Sequence, residues 1–190
     1  MSYSKAMKAG IPMLLALAAG NADAAQREVV KARISPRCTV EADVRRDERE
    51  ACWRLVCGSG RPARLGCDLT AMHQIVSLSA SPDRRHLAVI SVGEGHPILE
   101  LVDLPVLLKQ HRYSALCTVN PFPGTLDAGG WSASGVLIDS DVPLNVESPE
   151  ARAAGLTAVP RRFAMSAADC RIMPVTPAAD DSAARRDYRR

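Results

Sequence analysis

Aromatic residues are scarce: Phe, Trp and Tyr make up 4% of the 190 residues. At that content Trp53, Trp131, Phe122 and Phe163 read as core or rim packing, and no sugar-stacking platform is visible in the sequence. No C-x-x-C occurs, and His73, His86, His96 and His111 lack ligand-like spacing to any cysteine, so no metal site is expected. No Gly-rich phosphate loop follows a strand and no dinucleotide fingerprint is present, so no cofactor is expected. The net charge is only +3, and a dedicated nucleic-acid binder would carry a basic face or stripe. Lysine nearly vanishes after the first 24 residues, where only Lys31 and Lys109 remain and every other cation is Arg.

The beginning of the chain is what a targeting segment looks like. Lys5 and Lys8 precede an apolar core from Ile11 to Ala19, and Ala22-Asp23-Ala24 fits the small-x-small cleavage pattern. A signal peptide over residues 1–24 is therefore expected, with the mature chain starting near Ala25. The apolar run is shorter than the roughly 20 residues that cross a bilayer, and no later stretch is apolar enough, so no transmembrane span is expected after cleavage. Losing Lys5, Lys8 and Asp23 leaves a charge of +2. All six cysteines, Cys38, Cys52, Cys57, Cys67, Cys117 and Cys170, follow the leader. An even count in an exported chain reads as a disulfide framework.

Along the chain, residues 25–37 read as polar and irregular, and the charged stretch 41–51 as an exposed loop or short helix. Cys52–Cys57 and Ala63–Cys67 form a hairpin around Gly58–Pro62. Strict pairing around that loop sets Cys57 opposite Ala63 and Trp53 opposite Cys67. Cys57 and Cys67 are then too far apart to meet the Cα limit of about 7 Å, so each is expected to bond elsewhere, with Cys38 or Cys52 as candidates. Strands are expected over 73–79, 86–92 and 98–102. The second is apolar without alternation, as in a strand buried on both faces. Asp103 caps a short helix reaching Gln110, with Pro105 in its first turn. A strand over 113–119, a loop over 120–130 and a strand within 131–141 follow. Ser148-Pro149-Glu150 opens a second helix that stops at Gly155. A last hairpin joins 162–166 to 170–175. One β-rich domain is expected over 25–177, with a disordered tail over 178–190.

Three segments share a theme of a small polar turn leading into or out of an apolar strand: Ser81–Ser91, Ser132–Asp141 and Arg161–Val175. The first resembles the Ser-Pro-Asp-Gly repeat of WD40-like (TolB-type) β-propeller blades, found in bacterial periplasmic translocation proteins and in the propeller domains of some peptidases. The resemblance covers Ser77–Leu104, with a weaker echo over Gly130–Asp141. Arg84 stands where the repeat has its turn Gly, and a positive φ is costly for Arg. The fold expected is mostly β, with antiparallel sheets in a partial or small propeller-like assembly supported by disulfides; a β-sandwich is the alternative. Propellers typically have at least four blades, of about 40 residues each.

No strong catalytic motif emerges. Gly130–Gly135 misses the G-x-S-x-G nucleophile elbow by one residue and lacks its strand-turn-helix frame. Asp139, Asp141 and Glu147 offer too few oxygens for a calcium loop. The resemblance implies an interaction surface. Glu94 and His96 in one turn, with Phe122 and Asp127 in the 120–130 loop, are the candidate binding residues. The function expected is that of an exported, periplasmic or secreted, non-enzymatic protein that binds another protein or an envelope component. An exported hydrolase or hydrolase accessory, with a site built from acidic and His residues, is the alternative.

Overall fold

A computed structural model describes residues 27–45, 50–69, 74–93, 95–157, 159 and 161–175. The leader over 1–24, the tail over 178–190 and Glu94 lie outside the described residues. Twelve strands form three four-stranded antiparallel sheets, each a meander in chain order. The first contains β1 (Arg27–Arg33), β2 (Cys38–Arg45), β3 (Glu50–Cys57) and β4 (Ala63–Leu69). The second contains β5 (Gln74–Ala80), β6 (His86–Gly93), β7 (His96–Asp103) and β8 (Ala115–Val119). The third contains β9 (Leu126–Ser132), β10 (Gly135–Ser140), β11 (Arg161–Met165) and β12 (Ile172–Pro174). Two short helices, α1 (Leu104–Gln110) and α2 (Pro149–Ala154), sit in connections and start at the predicted caps Asp103 and Ser148.

The second sheet is covered on both faces. Leu87, Val89 and Val102 join a core with Val40, Ala42, Trp53 and Leu65 of the first sheet. Ala88, Ile90, Leu99 and Leu101 join another with Val136, Ile138, Phe163 and Met165 of the third. That is why Leu87–Ile90 is apolar without alternation. In the first sheet only one face is apolar, and β2 alternates: Val40, Ala42 and Val44 face the core, while Glu41 and Asp43 lie on the other face, buried beneath their ion-pair partners.

Two segments expected to be irregular are strands. β1 forms because Val30 and Ala32 both pack into the first core, and two apolar positions suffice for a strand paired along its length with β2. The charges of 41–51 belong to β2 and β3, where opposite signs sit directly across the ladder. Lys31 meets Glu41 at 2.7 Å, and Arg54 reaches Glu41 at 3.4 Å and Asp43 at 3.5 Å. Cross-strand ion pairs let a charged segment serve as the outer face of a sheet. The expected loop over 120–130 ends early: from Leu126 onward the chain pairs with β10, and the ladder shifts register where Gly129 is passed.

The β3–β4 register also differs from strict pairing. Leu55 lies opposite Ala63 and Cys52 opposite Cys67, with a bulge beside Trp53. The disulfides are Cys38–Cys57, Cys52–Cys67 and Cys117–Cys170, and no cysteine is free. The first two join residues directly opposite each other in neighbouring strands. The third links β8 of the second sheet to the turn between β11 and β12.

The three bridges close loops of different length, with sequence separations of 19, 15 and 53. Loop-closure entropy makes the longest the most stabilising. Replacing Cys117 and Cys170 together by Ala should cost about 2–4 kcal/mol and lower the melting temperature more than the Cys52/Cys67 double replacement. Thermal denaturation of both variants checks this; an equal or reversed order would contradict it.

Candidate functional site

The meanders run in the same sense, so equivalent turns fall at the same end. Near the start of β5, Gln74 Nε2 donates to Glu28 Oε2 of β1 at 3.5 Å. Near its end, Trp131 Nε1 of β9 donates to Ser79 Oγ at 3.0 Å. The turns after β5, β9 and β11 therefore cluster. They are the turns of the three segments that share a theme in the sequence.

Two of these turns are built alike. In the first, the Ser81 N–H donates to the His86 carbonyl (2.9 Å) and the Arg84 N–H to the Ser81 carbonyl (2.9 Å). The Ser81 hydroxyl donates to Asp83 Oδ1 at 2.6 Å while accepting the His86 N–H at 2.9 Å. Asp83 Oδ1 also accepts the Arg85 N–H at 3.1 Å. Arg84 adopts φ 60°, the left-handed conformation its side chain disfavours. In the turn after β11, the Ser166 N–H donates to the Arg171 carbonyl and the Cys170 N–H to the Ser166 carbonyl. Asp169 accepts the Arg171 N–H at 3.3 Å, and Cys170 takes the left-handed position at φ 59°. Both carboxyls are held below their ordinary value, chiefly by the serine hydroxyl and then by the backbone N–H two residues on.

The turn between β9 and β10 is tighter. Ser132 and Ser134 share a hydroxyl hydrogen bond of 2.8 Å, and Gly135 has φ 136°. A Cβ on Gly135 would collide with the Met165 carbonyl of β11, so the position needs Gly on two counts.

Together the three turns line an open cleft of about 780 Å³. The half-buried Trp131 forms part of its wall, with its indole orientation set by the bond to Ser79. Arg85 and His86 also line it. Among the described residues, neither of these side chains makes a hydrogen bond or ion pair. Leu104 N–H, at the start of α1, donates to the Arg85 carbonyl at 3.0 Å and braces this turn from behind.

Of the sequence-predicted binding residues, the three described ones, His96, Phe122 and Asp127, lie elsewhere. His96 and the exposed Phe122 come together at the opposite end of the stack, with ring centroids 5.5 Å apart. Asp127 is exposed on β9, where its Oδ1 accepts the neighbouring Ala128 N–H at 2.8 Å. Arg152 organises that end, donating to the carbonyls of Val146 (2.7 Å), Asn120 (2.8 Å) and Glu147 (3.1 Å). Sequence reasoning noticed the three turns but did not bring them together, since convergence depends on how the sheets stack.

The chain matches no family model, no curated protein and no solved structure. Chemistry must therefore be read from the groups themselves. The Ser81 hydroxyl is engaged by Asp83 and a backbone N–H and is not paired with an imidazole base. Of the oxygens weighed for calcium, Asp139 is paired bidentately with Arg162 (2.9 and 3.1 Å) and Asp141 Oδ1 accepts the Thr125 N–H. No group of three potential metal ligands converges among the described residues. The cleft thus offers a fixed indole, an ionised carboxylate, a guanidinium and an imidazole on a braced frame.

Asp83 and Asp169 have lowered folded-state pKa values, so each stabilises its turn above the ordinary value of 3.8, and the contribution is lost as pH falls through the lower folded value. Replacing both by Asn should lower the melting temperature near neutral pH. The gap to the unmodified protein should close as the pH drops well below 3.8. Melting curves across that range test the sign; a gap that widens in acid would contradict it.

Proposed function

We propose that this is an exported, non-enzymatic binding protein of the periplasm or secreted space, that its meanders are blades of the WD40-like kind, and that it engages an envelope component through the three-turn cleft. The observation that carries the reading is the convergence of three turns around unengaged side chains. Hydrogen bonds internal to the turns stiffen the frame, while the Arg85 and His86 side chains line the cleft without a hydrogen bond or ion pair among the described residues. Binding residues are typically presented this way, on loops held by a rigid scaffold. The volume falls within the roughly 300–1,000 Å³ of small-ligand sites. Three consecutive four-stranded meanders support the blade reading, as does the Ser-Pro-Asp turn between β5 and β6. Three disulfides with no free thiol support export, because such bonds persist in oxidising compartments.

Amino-terminal sequencing of the protein recovered from its natural envelope fraction should begin near Ala25, with every thiol oxidised. An intact Met1 together with reduced cysteines in a cytosolic fraction would sink the export reading.

The site is tested by capture of envelope material on the immobilised protein. Trp131→Ala and Arg85→Gln should each reduce capture, whereas His96→Ala, Phe122→Ala and Asp127→Ala should leave it intact. The reverse pattern would move the binding surface to the opposite end of the stack.

A further inference from the structure

We infer that the cleft takes a neutral carbohydrate chain, with a pyranose ring lying on Trp131 and its hydroxyls held by Asp83 and Arg85. This rests on the cleft being the binding site and adds the class of ligand. Four observations lead to it.

Trp131 is the one large apolar side chain in the lining; the other apolar residues there are Pro82, Ala133, Ala167 and Ala168. A fixed flat surface among small neighbours suits a ring lying flat, since the C–H face of a sugar is apolar while its rim is polar. It offers no deep pocket for the anchoring side chain of a peptide.

Both internal hydrogen bonds to Asp83 fall on Oδ1. Oδ2 has no hydrogen bond among the described residues and remains an acceptor in the cleft that the Arg85 donors also line. An acceptor and a donor in one cleft suit the hydroxyls of a sugar, each of which can donate and accept. The lowered pKa of Asp83, held down by the Ser81 hydroxyl and the Arg85 N–H, keeps that acceptor ionised over the ordinary pH range.

The turn backbones are already bonded internally, between Ser81 and His86 and between Ser166 and Arg171. A peptide seeking main-chain pairing, as in strand addition, would find few free groups in the walls. Asp83 also offsets the charge of Arg85, so the cleft is not a polyanion site of the kind a nucleic acid requires.

The protein carries its own reporter. Trp53 is fully buried in the first core, whereas Trp131 is half-buried in the cleft, so a ligand changes the environment of one indole only. The full exported chain is titrated with chitotetraose, cellotetraose and xylotetraose, following tryptophan emission, and variants are compared by calorimetry. At least one oligosaccharide should give a saturable shift. Arg85→Gln should weaken its binding about tenfold, the loss of one strong hydrogen-bonding group, with little change in melting temperature, because that side chain makes no hydrogen bond among the described residues and adds only a minor charge interaction to Asp83. Trp131→Ala should abolish it.

If no neutral oligosaccharide gives a saturable response while envelope capture still depends on Trp131 and Arg85, the cleft binds something else and the carbohydrate assignment is wrong. If capture depends on neither residue, the cleft reading itself is lost. Binding only to a polyanion such as heparin, with a steep salt dependence, would also overturn the assignment.

Discussion

A sheet that is apolar on both faces cannot be stable alone in water. β6 and β7 place Leu87, Val89 and Val102 on one side and Ala88, Ile90, Leu99 and Leu101 on the other, all buried. Full burial of each large side chain is worth roughly 1.5–3 kcal/mol. The middle sheet therefore depends on both neighbours, and they depend on it, because each has one apolar face to cover. The buried exceptions show how strongly this term dominates. Glu100 lies in the interface with the first sheet, where its carboxylate accepts the Tyr113 hydroxyl at 2.7 Å. Trp53, whose ring packs tilted against Tyr113 with centroids 5.4 Å apart, leaves its indole N–H without a partner among the described residues. An unsatisfied donor costs about 1–3 kcal/mol. Burying the 150–250 Å² or so of a Trp side chain is worth about 4–6 kcal/mol, so the packing wins.

Stacking three meanders in one sense has a geometric consequence. The turns after the first strands of the second and third sheets, and after the third strand of the third, emerge at one end. The sheets supply their positions, and the turns supply their own rigidity. Ser81 with Asp83, and Ser166 with Asp169, grip the backbone tightly enough to keep Arg84 and Cys170 left-handed, a conformation that costs roughly 1–2 kcal/mol for a residue with a Cβ. The Cys117–Cys170 bridge then fastens the last turn to the second sheet. The cleft is thus held by covalent, electrostatic and packing constraints that act on different turns.

Much of this was legible in residue order. The unbroken apolar run Leu87–Ile90 announced a strand buried on two sides, and Asp103 and Ser148 announced their helices. The first sheet was harder to read. In β2 the alternation of Val40, Ala42 and Val44 is masked by Glu41, Asp43 and Arg45, and charges look like a loop until their partners Lys31 and Arg54 are placed across the ladder. The β3–β4 register was misread because pairing starts only at Leu55 and Ala63, two residues further from the loop than strict pairing allows, and because the one-residue bulge beside Trp53 is invisible in a two-residue period. Together these set Cys67 opposite Cys52, while Cys57 bonds to Cys38. Leu126–Ser132 was hidden by its glycines, which weaken any strand signal. The cleft was visible only as three unrelated turns, since nothing in a linear chain says which turns share an end.

The opposite end shows why exposure alone is a poor guide to a site. Phe122 is an exposed aromatic side chain among the connecting loops there, and it stands against His96. Around it, Arg152 spends its guanidinium on four carbonyls, that of Phe122 among them, and the Asp141 carboxylate and the Ser140 hydroxyl are bonded to the backbone of Thr125. The polar chemistry at that end is consumed in fastening the loops to one another. At the turn end the backbone and serine hydroxyls do the fastening, which leaves Asp83 Oδ2, Arg85, His86 and the Trp131 ring available. A ligand gains from groups that are positioned but not yet paired within the protein, because binding then exchanges hydrogen bonds with water and breaks none that hold the fold.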